Sequence, residues 1–147
     1  TIVSTSGDLI PQVEVNKVNL SIKNKDHFKN VFYAGSHDAC LLSVLNNQAD
    51  VCGMSSRNFE ARLEDGTIKL EDVKVIHKSD RVPPPPLAYS KLIPLEDRNK
   101  IKKAILEAHN HGEIAGYGGK MSHYMEVKDS DYNVLRDVIE LLNKEES

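Results

Sequence analysis

Apolar positions fall in short clusters whose period changes along the chain. Leu9, Ile10 and Val13, with Lys17 one turn further on, share one side of residues 8–18 and predict a helix. Pro11 falls in its first turn, where a missing N–H costs nothing. Residues 21–30 are polar and predict a loop. Val31-Phe32-Tyr33-Ala34 is a continuous apolar run that predicts a buried strand, broken by Gly35 and Ser36. Helical spacing returns over residues 37–47 through Leu41, Leu42, Val44 and Leu45. Residues 49–54 predict a second buried strand. Residues 56–64 predict a helix stopped by Asp65-Gly66, and residues 73–77 a third strand. This alternation implies an α/β fold built from parallel βαβ units with right-handed crossovers. Ligands in such sheets bind at the carboxyl ends of the strands. Ser36 and Ser55 each follow a predicted strand, at that edge.

Pro83-Pro84-Pro85-Pro86 changes the regime. Four prolines favour extended polyproline geometry and exclude helix and central strand. They form a hinge, a rigid crossover or a stiff surface loop. Leu87-Ala88-Tyr89 predicts a short strand. Residues 95–109 form an amphipathic helix through Ile101, Ala104, Ile105 and Ala108. Residues 111–128 are irregular. A last helix over 131–143, capped by Asp129 or Ser130, carries Val134, Leu135, Val138, Ile139 and Leu142. The chain contains no internal repeat. It divides into an α/β segment over 1–82 and a proline crossover with a helical segment over 83–147.

Composition narrows the function. Apolar residues make up 39% of the chain and aromatic ones 5%, so the core is mainly aliphatic. A formal net charge of −3 argues against a nucleic-acid partner, which needs a basic surface. It leaves room for one small anion held by local dipoles. No apolar run approaches the roughly 20 residues that span a membrane. The opening Thr1-Ile2-Val3 shows no signal-peptide pattern, so a targeting segment is either removed or never present. Cys40 and Cys52, flanked by Leu41, Leu42 and Val51, read as small buried thiols, with a disulfide left open. Their spacing fits no zinc site.

Two segments carry candidate chemistry. Ser4-Thr5-Ser6-Gly7 and Gly35-Ser36-His37-Asp38-Ala39 each place hydroxyls and a glycine before a predicted helix. A helix start leaves about four N–H groups unpaired and carries partial positive charge, a natural seat for an oxyanion. Each segment alone reads as ordinary capping; the pair in one α/β chain favours an anion site. His37 adds a proton-tunable donor, or orients the helix start. Asp38 complements the helix dipole or accepts a hydrogen bond from backbone or His37. His109-x-His111 sits at a helix end before Gly112 with no third ligand nearby, so it reads as a dipole-complementing end and not a metal site. Residues 116–120 lack P-loop spacing and a preceding strand, and read as a mobile loop. Ser36 lies in no G-x-S-x-G elbow, and no catalytic set stands out. No cofactor is implied.

These residues resemble a known family. Ser4-Thr5-Ser6-Gly7 with Leu9-Ile10-Pro11 is similar to the S-T-S-G-x-L-x-P segment of phosphonate, phosphite and phosphate binding proteins of ABC transporters, which have the type II periplasmic-binding fold. Residues 31–39 resemble the family's F-x-G-S-H-D-A segment, and Ala49-Asp50-Val51 its following D-V strand. Residues 73–79 resemble its K-V-I-x-K-S strand, and Asp129-Ser130-Asp131-Tyr132 a late D-x-D-Y segment. The resemblance runs in order over nearly the whole chain.

It implies a non-enzymatic solute-binding component, periplasmic or extracellular, with a membrane anchor left open. It would bind a phosphonate-type oxyanion through Ser4, Thr5, Ser6, Ser36 and His37 and deliver it to an ABC permease. A sensory module reporting an oxyanion to a receptor or kinase is the alternative. Arg57 stands where aminoalkylphosphonate binders carry an amine-facing Glu, and Pro84-Pro85-Pro86 replaces the stretch that carries their Asp. This departure predicts poor binding of 2-aminoethylphosphonate and makes Arg57 a candidate contact for a more acidic ligand; otherwise Arg57 is a solvated helix residue. The chain matches the family from near the start of its second lobe to its C-terminus. A fragment with half a cleft is therefore expected, with weak affinity and self-association through uncovered apolar surface.

Overall fold

A computed structural model describes residues 4–116 and 119–144. The signal-peptide reading of Thr1-Ile2-Val3 and the loop positions Tyr117 and Gly118 lie outside the described residues. The chain separates into two compact units. One runs to Val82 and resumes at Asn133; the other is Pro83–Tyr132, so the proline run opens the second unit.

In the first unit, a π-helical turn Thr5–Leu9 leads directly into α1, Ile10–Asn16. The helix thus starts three residues earlier than its apolar pattern indicates. Ser4 causes this: its carbonyl accepts from both Asp8 N (2.9 Å) and Leu9 N (3.0 Å), which widens the first turn. Helix α2, His37–Leu45, ends where Asn47 takes a positive φ of 55°. Helix α3, Ser56–Glu64, has the expected bounds and stops at Asp65, followed by Gly66 at φ 74°. Helix α5, Asn133–Lys144, follows a 3₁₀ turn Asp129–Tyr132. Its Val138 is buried with Ile10 and Val13 of α1, and Leu9, Val82 and Leu142 pack around them. Glu14 of α1 lies 2.7 Å from Lys17 and 2.9 Å from His77, which ties the 73–77 segment to the helix.

The second unit contains α4, Leu95–Glu107, continued by a 3₁₀ turn Ala108–Asn110. Strands β1, Ile114–Gly116, and β2, Gly119–Met121, pair antiparallel with Gly116 opposite Gly119. Gly116, Gly119 and Lys120 of the expected mobile loop are therefore paired strand residues.

The parallel sheet is the main correction. Residues 31–34, 49–54, 73–77 and 87–89 form no ladder, and the β1–β2 hairpin is the only sheet among the described residues. A parallel strand needs hydrogen-bonded neighbours and cover on both faces. These segments have neither: Val31, Phe32, Val75 and Ile76 are between 48% and 72% exposed. The apolar runs are present, but the surfaces that would pair with and cover them are not. The free-thiol reading is also corrected. Cys40 and Cys52 form a disulfide, with Cα atoms 5.8 Å apart, because Cys40 on the first turn of α2 faces the end of the 49–54 segment.

Candidate functional site

Three helix starts, each preceded by a serine, meet around one imidazole. Ser4 Oγ accepts from Gly7 N–H at 3.3 Å and closes the first. Ser36 Oγ accepts from Ala39 N–H at 3.0 Å and closes the second. Ser55 precedes α3, is buried, and makes no side-chain cap. Asp8, Asp38 and the helix dipoles balance locally: each carboxylate lies in a first helical turn, where negative charge is favoured.

His37 connects the three. Ser55 N–H donates to its Nδ1 at 3.4 Å, and its Nε2 lies 3.4 Å from Ser6 Oγ. Both are long hydrogen bonds. A backbone N–H can only donate, so Nδ1 must be the accepting nitrogen. In the neutral ring the proton then sits on Nε2 and points at Ser6 Oγ. That hydroxyl, accepting from the imidazole, keeps its own hydrogen for a further acceptor. Burial, the largest influence, holds His37 below the ordinary histidine value, against the pull of Asp38. The neutral ring that the Ser55 contact requires is thus also the one burial favours.

Two glycines permit this approach. A Cβ on Gly7 would lie 3.1 Å from Ser4 Oγ and 3.5 Å from His37 Cε1. A Cβ on Gly53 would lie 2.6 Å from Pro11 Cγ, so the 49–55 segment rests directly on the first turn of α1.

Surrounding contacts hold the segments in place. The buried Asp8 carboxylate accepts from Gln12 Nε2 at 2.7 Å and from Tyr33 O–H at 3.0 Å. Tyr33 therefore anchors the run before Gly35 to the first helix start. Asp38 lies 3.7 Å from Arg62 of α3.

Of the residues singled out from sequence, Ser4, Ser6, Ser36 and His37 come together by direct contact or capping. Thr5 is half-buried within the π-helical turn. Arg57 is exposed in the first turn of α3, two residues beyond Ser55. Sequence reasoning paired Ser55 with Ser36 without giving it a role, and overlooked Asp8 and Tyr33. The signal for Ser55 was its place between an apolar run and a helix, the same grammar as Ser36. In the second unit, His109 packs edge-on against His123 with ring centres 6.1 Å apart. No group of three or more His, Cys, Asp or Glu suited to a metal exists among the described residues.

The arrangement offers neutral donors and positive dipole ends, which suit a small oxyanion. Comparisons with known proteins give the family. The family model described as ABC transporter, phosphonate, periplasmic substrate-binding protein matches residues 2–132. The chain is also similar to the phosphonates-binding periplasmic protein of Escherichia coli (strain K12), 34% identical over 99 residues. That alignment takes in 67% of this chain and 28% of the relative, so the chain spans well under half of the relative's length. No solved structure matches the chain. The family match extends over most of the sequence and across both units, and the chain belongs to the phosphonate-type periplasmic substrate-binding proteins of ABC transporters.

Proposed function

We propose that the three-serine, one-histidine cluster holds the oxyanion end of a phosphonate, phosphite or phosphate. The observation that carries this is the Ser6–His37–Ser55 chain of contacts. It leaves the Ser6 hydroxyl hydrogen available and gathers three helix starts around a neutral ring. A dianion there accepts from Ser6 O–H and from unpaired N–H groups of the first turns. Ser4, Thr5 and Ser36 shape and cap those turns, and Arg57 at the rim adds positive charge toward a more acidic substituent. The ligand is held without a bond being made or broken, so the chain acts as a carrier and not an enzyme. In this reading it works in the periplasm, or outside the cell, and passes its ligand to a membrane permease. No helix among the described residues is long and apolar enough to cross a membrane, so the permease supplies the membrane path. The exposed apolar segments 31–34 and 73–77 pair with a second copy of the chain, which light scattering over a concentration series reads as dimer formation.

Isothermal titration with phosphate, phosphite and methylphosphonate tests the site. Binding of at least one, weakened in Ser6→Ala and His37→Ala and retained in Glu113→Gln, is expected. Failure of all three ligands to bind the folded chain overturns the reading.

A further inference from the structure

The two halves of the His37–Ser55 contact lie far apart in sequence. The residues are 18 positions apart, and the segments that carry them share no ladder. Their covalent neighbours are nevertheless joined. Cys40 is three residues after His37 on α2, and Cys52 is three residues before Ser55. The contact therefore brackets the disulfide symmetrically. Without the bond, closing the contact joins positions 18 steps apart along the chain. Through the bond, the path shortens to about 7 steps, which on loop-closure entropy favours the closed contact about fourfold.

We propose that the Cys40–Cys52 disulfide is the positioning element of the oxyanion site: it holds the α2 start against the α3 start and so keeps the His37 ring on Ser55 N–H. The inference rests on the proposed oxyanion role only for its effect on binding. Its geometric part stands alone. Gly53, between Cys52 and Ser55, has no side chain and seats the same segment on Pro11. The disulfide thus acts on a strip pinned on one side by α1 and on the other by α2. Both cysteines are half-buried. In an oxidising compartment the bond persists and the site is preassembled. In a reducing one the site loosens without loss of any ligand-contacting group.

The test compares the oxidised chain with the same chain reduced by a phosphine. Two signals are followed by NMR: exchange of the Ser55 amide, and the His37 ring nitrogens, which report the Nε2–H tautomer. Reduction is expected to speed Ser55 exchange about fourfold or more and to mix the His37 tautomers. The Val138 amide of α5, in the core away from the disulfide, is expected to keep its rate. Methylphosphonate affinity is expected to fall by a similar factor. The Cys40→Ser/Cys52→Ser variant should reproduce these changes; if it does not fold, the reduced native chain supplies the readout. Unchanged Ser55 and His37 signals after reduction overturn the proposal. So does equal loss of protection at Val138 and Ser55, which marks a general staple. If methylphosphonate binds in neither redox state, the oxyanion reading fails, and the amide and ring signals still decide the role of the disulfide.

Discussion

Ser55 donates its backbone N–H to Nδ1 of His37, and that one contact dictates the polarity of the whole cluster. The imidazole proton is displaced to Nε2, Ser6 becomes its acceptor, and the Ser6 hydroxyl keeps its own hydrogen to donate. A protonated ring would carry hydrogens on both nitrogens and oppose the Ser55 N–H. The cluster therefore works with a neutral histidine, and two of the four predictions below depend on that.

The first concerns pH. His37 is held below its ordinary value of about 6.5, chiefly by burial. The folded chain then binds this proton less readily than the unfolded chain. Stability from the neutral ring is complete above the ordinary value and declines as pH falls through it toward the lowered folded value. Thermal melts between pH 7.5 and 5 should show a falling Tm, and His37→Gln should flatten that slope. The Glu14 carboxyl, lowered first by its hydrogen bond from Lys17, loses its contribution only below the ordinary carboxylate range, outside this window.

Ser6→Ala removes that hydroxyl and with it the Ser6 contact of His37 Nε2. A hydrogen bond to a charged partner contributes about 1.5–3 kcal/mol. Methylphosphonate affinity should drop about 10- to 100-fold, read by calorimetry. Loss of the fold by circular dichroism would instead mark Ser6 as structural.

Arg57 lies in the first turn of α3, and the family resemblance puts it where aminoalkylphosphonate binders carry a Glu. Wild-type chain should bind methylphosphonate more tightly than 2-aminoethylphosphonate. Arg57→Glu should narrow or reverse that preference, measured as the ratio of the two Kd values. Tight binding of the amine ligand by the unaltered chain would contradict this.

Gly53→Ala puts a methyl 2.6 Å from a carbon of the Pro11 ring, which cannot rotate away. Overpacking of this kind costs about 1–3 kcal/mol. Urea unfolding should show that loss. The Ser55 amide should also exchange faster, since the displaced segment carries it.

The helices were legible because their evidence is local. Residues 56–64 were bounded correctly by an apolar-polar pattern and an Asp-Gly stop, and His37 by the Gly-Ser pair before it. The strands were not, because an apolar run such as Val31–Ala34 says that burial is wanted and nothing about whether a partner is in reach. Here that run stays exposed, and Tyr33 spends its hydroxyl on Asp8. The disulfide and the Ser55 contact were equally out of reach. Both depend on how α2 lies against a segment many residues away, which spacing does not encode.

Helix α5 begins one residue after the family match ends, yet its Val138 lies in the same core as Ile10 and Val13, directly beneath the first helix start. The stretch matched by the family model and the mechanical support of the site thus have different borders in this molecule. A segment trimmed to the recognised family region would keep every residue of the site and lose the buttress behind it.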